Sequence, residues 1–189
     1  MTINAILMAS GLSKRMGENK LFLDFKGKKI YQHSLDLLKK LDLNKVIVVS
    51  SYDEILDQAC EMGFTGIYNN DNEAGKSSSI KLGVNECEDE AMMFFVADQP
   101  LLTLKTCNKL IKSYNENEII TYPVVNDRRG APVIFPNSYK ESLYNLEGDQ
   151  GGMILAYGND VNKVQINDER ELLDIDTVKA YHNLKDKYE

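Results

Sequence analysis

Neither of the common phosphate-binding signatures occurs in this chain. GxxxxGK[ST] is missing, because Gly11 and Gly17 are six apart and no Lys-Ser or Lys-Thr pair follows them. GxGxxG is missing too, so neither a P-loop NTPase nor an ordinary dinucleotide fold is supported. No serine stands in G-x-S-x-G, which leaves hydrolase chemistry without a nucleophile motif. Cysteine is sparse: Cys60, Cys87 and Cys107 show no CxxC spacing and read as reduced thiols in helical patterns. The only two histidines, His33 and His182, lie in helical patterns with no cysteine or carboxylate partner at metal spacing. Positive charge is not in excess: the net charge of −7 argues against a nucleic-acid surface. It does not argue against a nucleotide, which local cations and Mg²⁺ can hold on an acidic protein. The N-terminus has no basic leader and no apolar run of transmembrane length, so a cytoplasmic protein without a membrane role is expected.

What is present reads as a single domain over residues 1–189, 43% hydrophobic and 27% charged. Short apolar runs at Ile3 to Met8, Lys45 to Ser50 and Met92 to Ala97 read as buried strands. Further strands are expected at Glu118 to Tyr122, Ala131 to Phe135 and Val161 to Ile166. Helical spacing covers Ile30 to Leu41, Asp53 to Met62, Ser77 to Cys87, Leu104 to Tyr114, Gln150 to Tyr157 and a last helix from Thr177. Apolar strands alternating with helices predict an α/β fold, a Rossmann-like three-layer sandwich around a mostly parallel sheet. Ligands in such sheets bind beyond the strand C-termini.

That rule directs attention to Met8-Ala9-Ser10-Gly11, which ends the first strand, and to the cations Arg15 and Lys20 that follow. Small residues let backbone N–H groups approach a ligand, and fixed cations beside them suit a polyphosphate. A tight strand-to-helix turn with solvated cations fits the same residues. Asp98, directly after the third apolar run, is placed either to hold a divalent cation or to cap a turn before Pro100. The polar stretch from Asn69 through Gly75 to Ser78 and Ser79 opens a helix, either reading a base and ribose or simply capping. Asp127 to Gly130 reads as a turn whose Arg129 is solvated or receives a second anionic substrate. Gly148-Asp149-Gln150-Gly151-Gly152 reads as a loop junction or a second anion-binding turn. Asp174 to Thr177 reads chiefly as the cap of the last helix, with a metal role as the alternative.

Taken in order, Ala9-Ser10-Gly11-x-Ser13-x-Arg15-Met16-Gly17-x-x-Lys20, Gly75 with Ser78-Ser79, and Ala97-Asp98-Gln99-Pro100 form one pattern with Gly130-x-Pro132-Val133, Gly148-Asp149-x-Gly151-Gly152 and Asp174-Ile175-Asp176-Thr177. The pattern resembles the MobA-like nucleotidyltransferases, and most closely the molybdenum cofactor cytidylyltransferases, over nearly the whole chain. The resemblance implies a nucleotide-diphospho-sugar transferase-like fold and transfer of CMP from CTP to molybdopterin phosphate, with release of pyrophosphate. It implies that Met8, Ala9, Ser10, Gly11, Arg15 and Lys20 bind the triphosphate, and that Asp98 binds Mg²⁺. Asn69, Gly75, Ser78 and Ser79 would approach base and ribose, while Arg129, Asp149 and Gly151 would face the second substrate, Asp149 also as a candidate metal ligand. A molybdoenzyme that receives the product is the implied protein partner. Ser10 and Asn19 stand where GTP-using members have glycine and aspartate, which favours CTP over GTP. Ala131 and Met153 replace a frequent histidine and arginine on the acceptor side. Transfer to another acceptor, such as a sugar phosphate, and a non-catalytic cofactor-binding chaperone are the competing expectations.

Overall fold

The computed structural model describes residues 2–13, 16–17 and 19–188. The N-terminal apolar run forms β1 (Ile3–Ala9), followed by a two-stranded ribbon, β2 (Asp24–Phe25) and β3 (Lys28–Lys29). Next come α1 (Ile30–Leu38), β4 (Lys45–Ser50), α2 (Asp53–Glu61), β5 (Thr65–Tyr68) and α3 (Lys76–Asn85). The second half supplies β6 (Ala91–Val96), α4 (Leu104–Asn117), β7 (Ile120–Val125), β8 (Arg128–Arg129) and β9 (Val133–Phe135). It closes with α5 (Lys140–Tyr144), β10 (Val161–Gln165) and α6 (Val178–Tyr188). The main sheet runs β10-β7-β9-β6-β1-β4-β5, with β8 hung on β7. β1 pairs in parallel with β4 and β6, β4 with β5, and β10 with β7. β9 is antiparallel to both β6 and β7.

Side chains of β1 alternate between two cores, as the strand period of two requires. Ile3, Ala5, Leu7 and Ala9 pack with Leu35 of α1, Ile55 of α2, Leu110 of α4 and Leu184 of α6. Ile6 packs on the other face with Ile80 and Val84 of α3 and Leu143 of α5. Both faces are covered, so the expected three-layer α/β sandwich forms and its central strands read as unbroken apolar runs. Leu7, Leu35 and Leu110 are fully buried, and truncating any one to alanine costs about 2–5 kcal/mol. α3 lies tight on β1 because Gly83 has no side chain: a Cβ there would stand 2.4 Å from Ile6 Cγ2.

Several boundaries differ from the sequence reading. The stretch from Gln150 to Tyr157 is a 3-10 turn over Gly152–Ala156, since paired glycines at its start resist α-helix. Asn126 and Asp127 carry the positive φ values of the β7–β8 connection, and Arg128–Arg129 form a strand, not part of the turn. The last helix is capped by Thr177, whose Oγ1 accepts from Ala180 N at 3.1 Å; Asp174 and Asp176 turn elsewhere. β5, α5 and the β2–β3 ribbon were outside the expected elements. Among the described residues no helix is long and apolar enough to cross a membrane.

Candidate active site

Parallel register sets Ala9 beside Ser50 and Met8 beside Val96, so three strand ends share one rim. The loop after β1 leaves the sheet there and is tied to the end of β4. Ser50 Oγ donates to Ala9 O at 3.0 Å, Ser10 Oγ to Val49 O at 3.3 Å, and Tyr52 OH to Gly11 O at 3.1 Å. The carbonyls of Ala9 and Gly11 are thus engaged, the former as a buried backbone acceptor must be.

Lys20 is presented by a short capped turn. Asn19 Oδ1 accepts from Leu21 N at 3.1 Å, and Ser13 Oγ accepts from Lys20 N at 3.1 Å. From there Lys20 Nζ meets Asp98 Oδ2 at 2.5 Å and Asp176 Oδ1 at 2.9 Å. The Lys20 and Asp98 side chains are only 12% and 17% exposed. Burial alone would lower the Lys20 ammonium, but the Asp98 and Asp176 carboxylates outweigh it and hold the pKa above the usual lysine value. Arg15, expected to share the triphosphate with Lys20, lies outside the described residues.

A strap of chain before α6 crosses this rim. Ile175 N donates to Asp98 O at 3.2 Å, and Gln99 Nε2 donates to Asp174 Oδ1 at 2.8 Å. Burial, and then the nearby Asp98 charge, raise the Asp174 carboxyl above the usual range. Upstream of Asp174, Leu172 O accepts from Arg128 Nη2 at 3.1 Å.

The serine-rich helix start is fixed from beneath. Asn69, almost fully buried, donates from Nδ2 to both Ser78 Oγ and Ser79 Oγ at 3.0 Å. Its Oδ1 accepts from Asp71 N at 2.9 Å, and Ser78 Oγ donates to Gly75 O at 2.9 Å. Ser77 N donates to Gly148 O at 3.1 Å. Gly75 has φ of +93°, and a Cβ there would stand 2.5 Å from Gly148 C and O. The two glycine-bearing stretches of the sequence are therefore packed on each other, a contact only glycine permits.

These parts surround a cleft of 820 Å³. Met8, Ser10, Gly11, Lys20, Gly75, Ser79 and Asp98 line it, as do Arg129, Asp149 and Gly151. Ala131 and Met153 also face it. Ala9, Asn69 and Ser78 do not; they stand behind the surface, and the side chains of Asn69 and Ser78 are spent on internal hydrogen bonds. Sequence reasoning missed Ser50 and Tyr52, which its own strand reading could have found at the end of β4 and two residues beyond it. It also missed Tyr157, whose hydroxyl accepts from Arg129 Nη2 at 2.8 Å. A separate hollow of 590 Å³ between Val125 and Arg170 contains none of the expected site residues.

Among the described residues no group of three His, Cys, Asp or Glu is preassembled for a metal ion. Mg²⁺ needs none, since it is commonly held by one or two carboxylates together with substrate phosphates and water. Asp98 on the rim, with one oxygen on Lys20 and the cleft before it, fits that donor chemistry.

Lys20 and Asp98 thus meet at the rim of a cleft large enough for a nucleotide. A family model, the MobA-like NTP transferase domain, matches residues 5–161. The chain belongs to that family and is a nucleotidyltransferase. It is 28% identical to the purine catabolism protein PucB of Bacillus subtilis, over 93% of this chain and 92% of that protein. It is 26% identical to the molybdenum cofactor cytidylyltransferase of Escherichia coli, over 98% and 97%. A crystal structure of Rv0371c from Mycobacterium tuberculosis in complex with manganese superposes with a TM-score of 0.83 at 19% identity, covering 99% of this chain and all of that one. The expected family and fold are therefore those found.

Proposed function

We propose that this protein is a Mg²⁺-dependent cytidylyltransferase that moves CMP from CTP to the phosphate of molybdopterin, releasing pyrophosphate in the cytoplasm. The observation that carries the reading is Lys20 Nζ held 2.5 Å from Asp98 at the strand-end rim of the cleft. A phosphate oxygen of the acceptor attacks the α-phosphorus, the new P–O bond forms, and the bond to the β-phosphate oxygen breaks. The acceptor is ionised at neutral pH, so no strong general base is needed. The requirement is in-line placement and neutralisation of charge gathering on pyrophosphate.

In this reading the N–H groups of Met8 to Gly11, with Arg15 and Lys20, hold the triphosphate. Gly75 and Ser79 meet base and ribose, with Asn69 and Ser78 fixing that wall. Mg²⁺ on Asp98, with Asp149 as a second candidate ligand, would neutralise phosphate oxygens. Arg129, Asp149 and Gly151 receive the acceptor, and a molybdoenzyme takes the product. Relatives working on the molybdenum cofactor support the choice of acceptor, and Ser10 and Asn19 support CTP over GTP. Ala131 and Met153 in the cleft wall favour one further reading, the same transfer onto a different phosphate acceptor.

A melting panel of CTP, GTP, UTP and ATP, each with and without Mg²⁺, tests the donor. A ligand at about 100 times its Kd adds about 2.7 kcal/mol, which is about 5–10 °C at this chain length. A Mg²⁺-dependent shift with CTP, followed by pyrophosphate release when molybdopterin is added, is the expected result. A larger shift with GTP overturns the choice of CTP, and a shift without turnover favours a cofactor-binding chaperone.

A further inference from the structure

Arg129, part of the cleft lining, is paired with a residue outside that lining, Tyr157. Tyr157 is 66% exposed, the most solvent-facing large apolar residue of those described. It follows the Gly152–Ala156 turn, while Arg129 comes from β8 on another wall segment. Arg129 donates from Nη2 to Tyr157 OH at 2.8 Å, and its guanidinium sits 5.1 Å from the ring centroid. Arg129 also lines the cleft. An exposed arginine ordinarily loses about 2 kcal/mol of rotamer freedom when it is fixed. Here the ring and hydroxyl have already restricted it, with N–H donors remaining for an anion. An aromatic residue this exposed adds little to the core, so its contact with Arg129 is its chief structural engagement.

We propose that Tyr157 is a positioning residue that pre-sets Arg129 as the receptor for the anionic group of the acceptor. The proposal rests on the transferase reading above but not on the identity of the acceptor. Ring contact and hydrogen bond contribute separately, so Tyr157→Phe keeps the first and loses the second. The expected rise in half-saturation is about threefold for Tyr157→Phe and about tenfold for Tyr157→Ala.

The chain has only four arginines, at 15, 128, 129 and 170, so their side-chain N–H signals are separable by NMR. Arg129→Lys assigns the relevant signal. Inorganic phosphate titrated onto the CTP-loaded protein should move the Arg129 signal and leave that of Arg170, already bonded to Asp168, in place. The half-saturating concentration should then rise in the order wild type, Tyr157→Phe, Tyr157→Ala, with unchanged melting temperatures. In steady-state assays the acceptor KM should follow the same order while the KM for CTP stays constant. An Arg129 signal indifferent to phosphate, or a Tyr157→Ala protein that titrates like wild type, overturns the proposal. Absence of pyrophosphate release from the wild type would instead overturn the transfer to molybdopterin and favour the chaperone reading, and the phosphate titration would still decide whether Tyr157 sets Arg129 for an anion.

Discussion

On the Lys20 side of the cleft, hydrogen bonds from neighbouring strand ends hold nearly every element: Ser50 on Ala9, Tyr52 on Gly11, Asn69 on Ser78 and Ser79. On the Arg129 side the lining comes from β8, β9, α5 and the Gly152–Ala156 turn, with Arg129 paired to Tyr157. The first wall grows out of parallel strands buried on both faces. The second begins where β9 runs against the sheet direction. Under the proposed transfer, chemistry that tolerates little displacement falls on the hydrogen-bonded, stiff wall and the acceptor on the other.

The contrast can be broken most directly at Lys20. Lys20→Ala should lower kcat/KM for pyrophosphate release by at least ~10²-fold, the loss typical of one transition-state donor. Near-wild-type turnover would mean that the stiff wall is scaffold and not machinery. Gly75 joins the two walls, and Gly75→Ala adds a Cβ against Gly148 at a φ that only glycine adopts readily. A cost of about 1–3 kcal/mol is expected, read as a lowered melting temperature together with weaker CTP binding. An unchanged melting curve would show that the walls meet loosely.

The smallest effect concerns pH. Lys20 keeps its proton to higher pH in the folded protein than in the unfolded chain, because Asp98 and Asp176 outweigh its burial. The resulting stabilisation is complete below the ordinary lysine pKa of about 10.4 and is lost as pH rises through the raised folded value. Denaturant midpoints should therefore fall more steeply above about pH 10.4 in wild type than in Lys20→Met. Parallel curves would refute the strong pairing.

Legibility in the sequence followed the same division. Lys45 to Ser50 was read with both boundaries correct, because an apolar run flanked by polar residues has one good solution. The first loop and Asp98 were singled out because they directly follow such strands, and Lys20 because it is a cation downstream of that loop. β5 escaped because Thr65-Gly66-Ile67-Tyr68 is a short edge strand, no residue of it fully buried. Asp174 and Asp176 were read as helix caps, since nothing local reveals partners 75 and 156 residues away. The mutual packing of Gly75 and Gly148 was hidden for the same reason: each glycine looked like an ordinary turn.

The pairing of Lys20 with Asp176 has a consequence for the making of the protein. It closes a loop of 156 residues, so a chain emerging from the ribosome can lay down β1, β4 and β6 long before Lys20 meets Asp176. A fragment that stops short of the strap would hold every strand of the sheet, with Lys20 paired to Asp98 but not to Asp176.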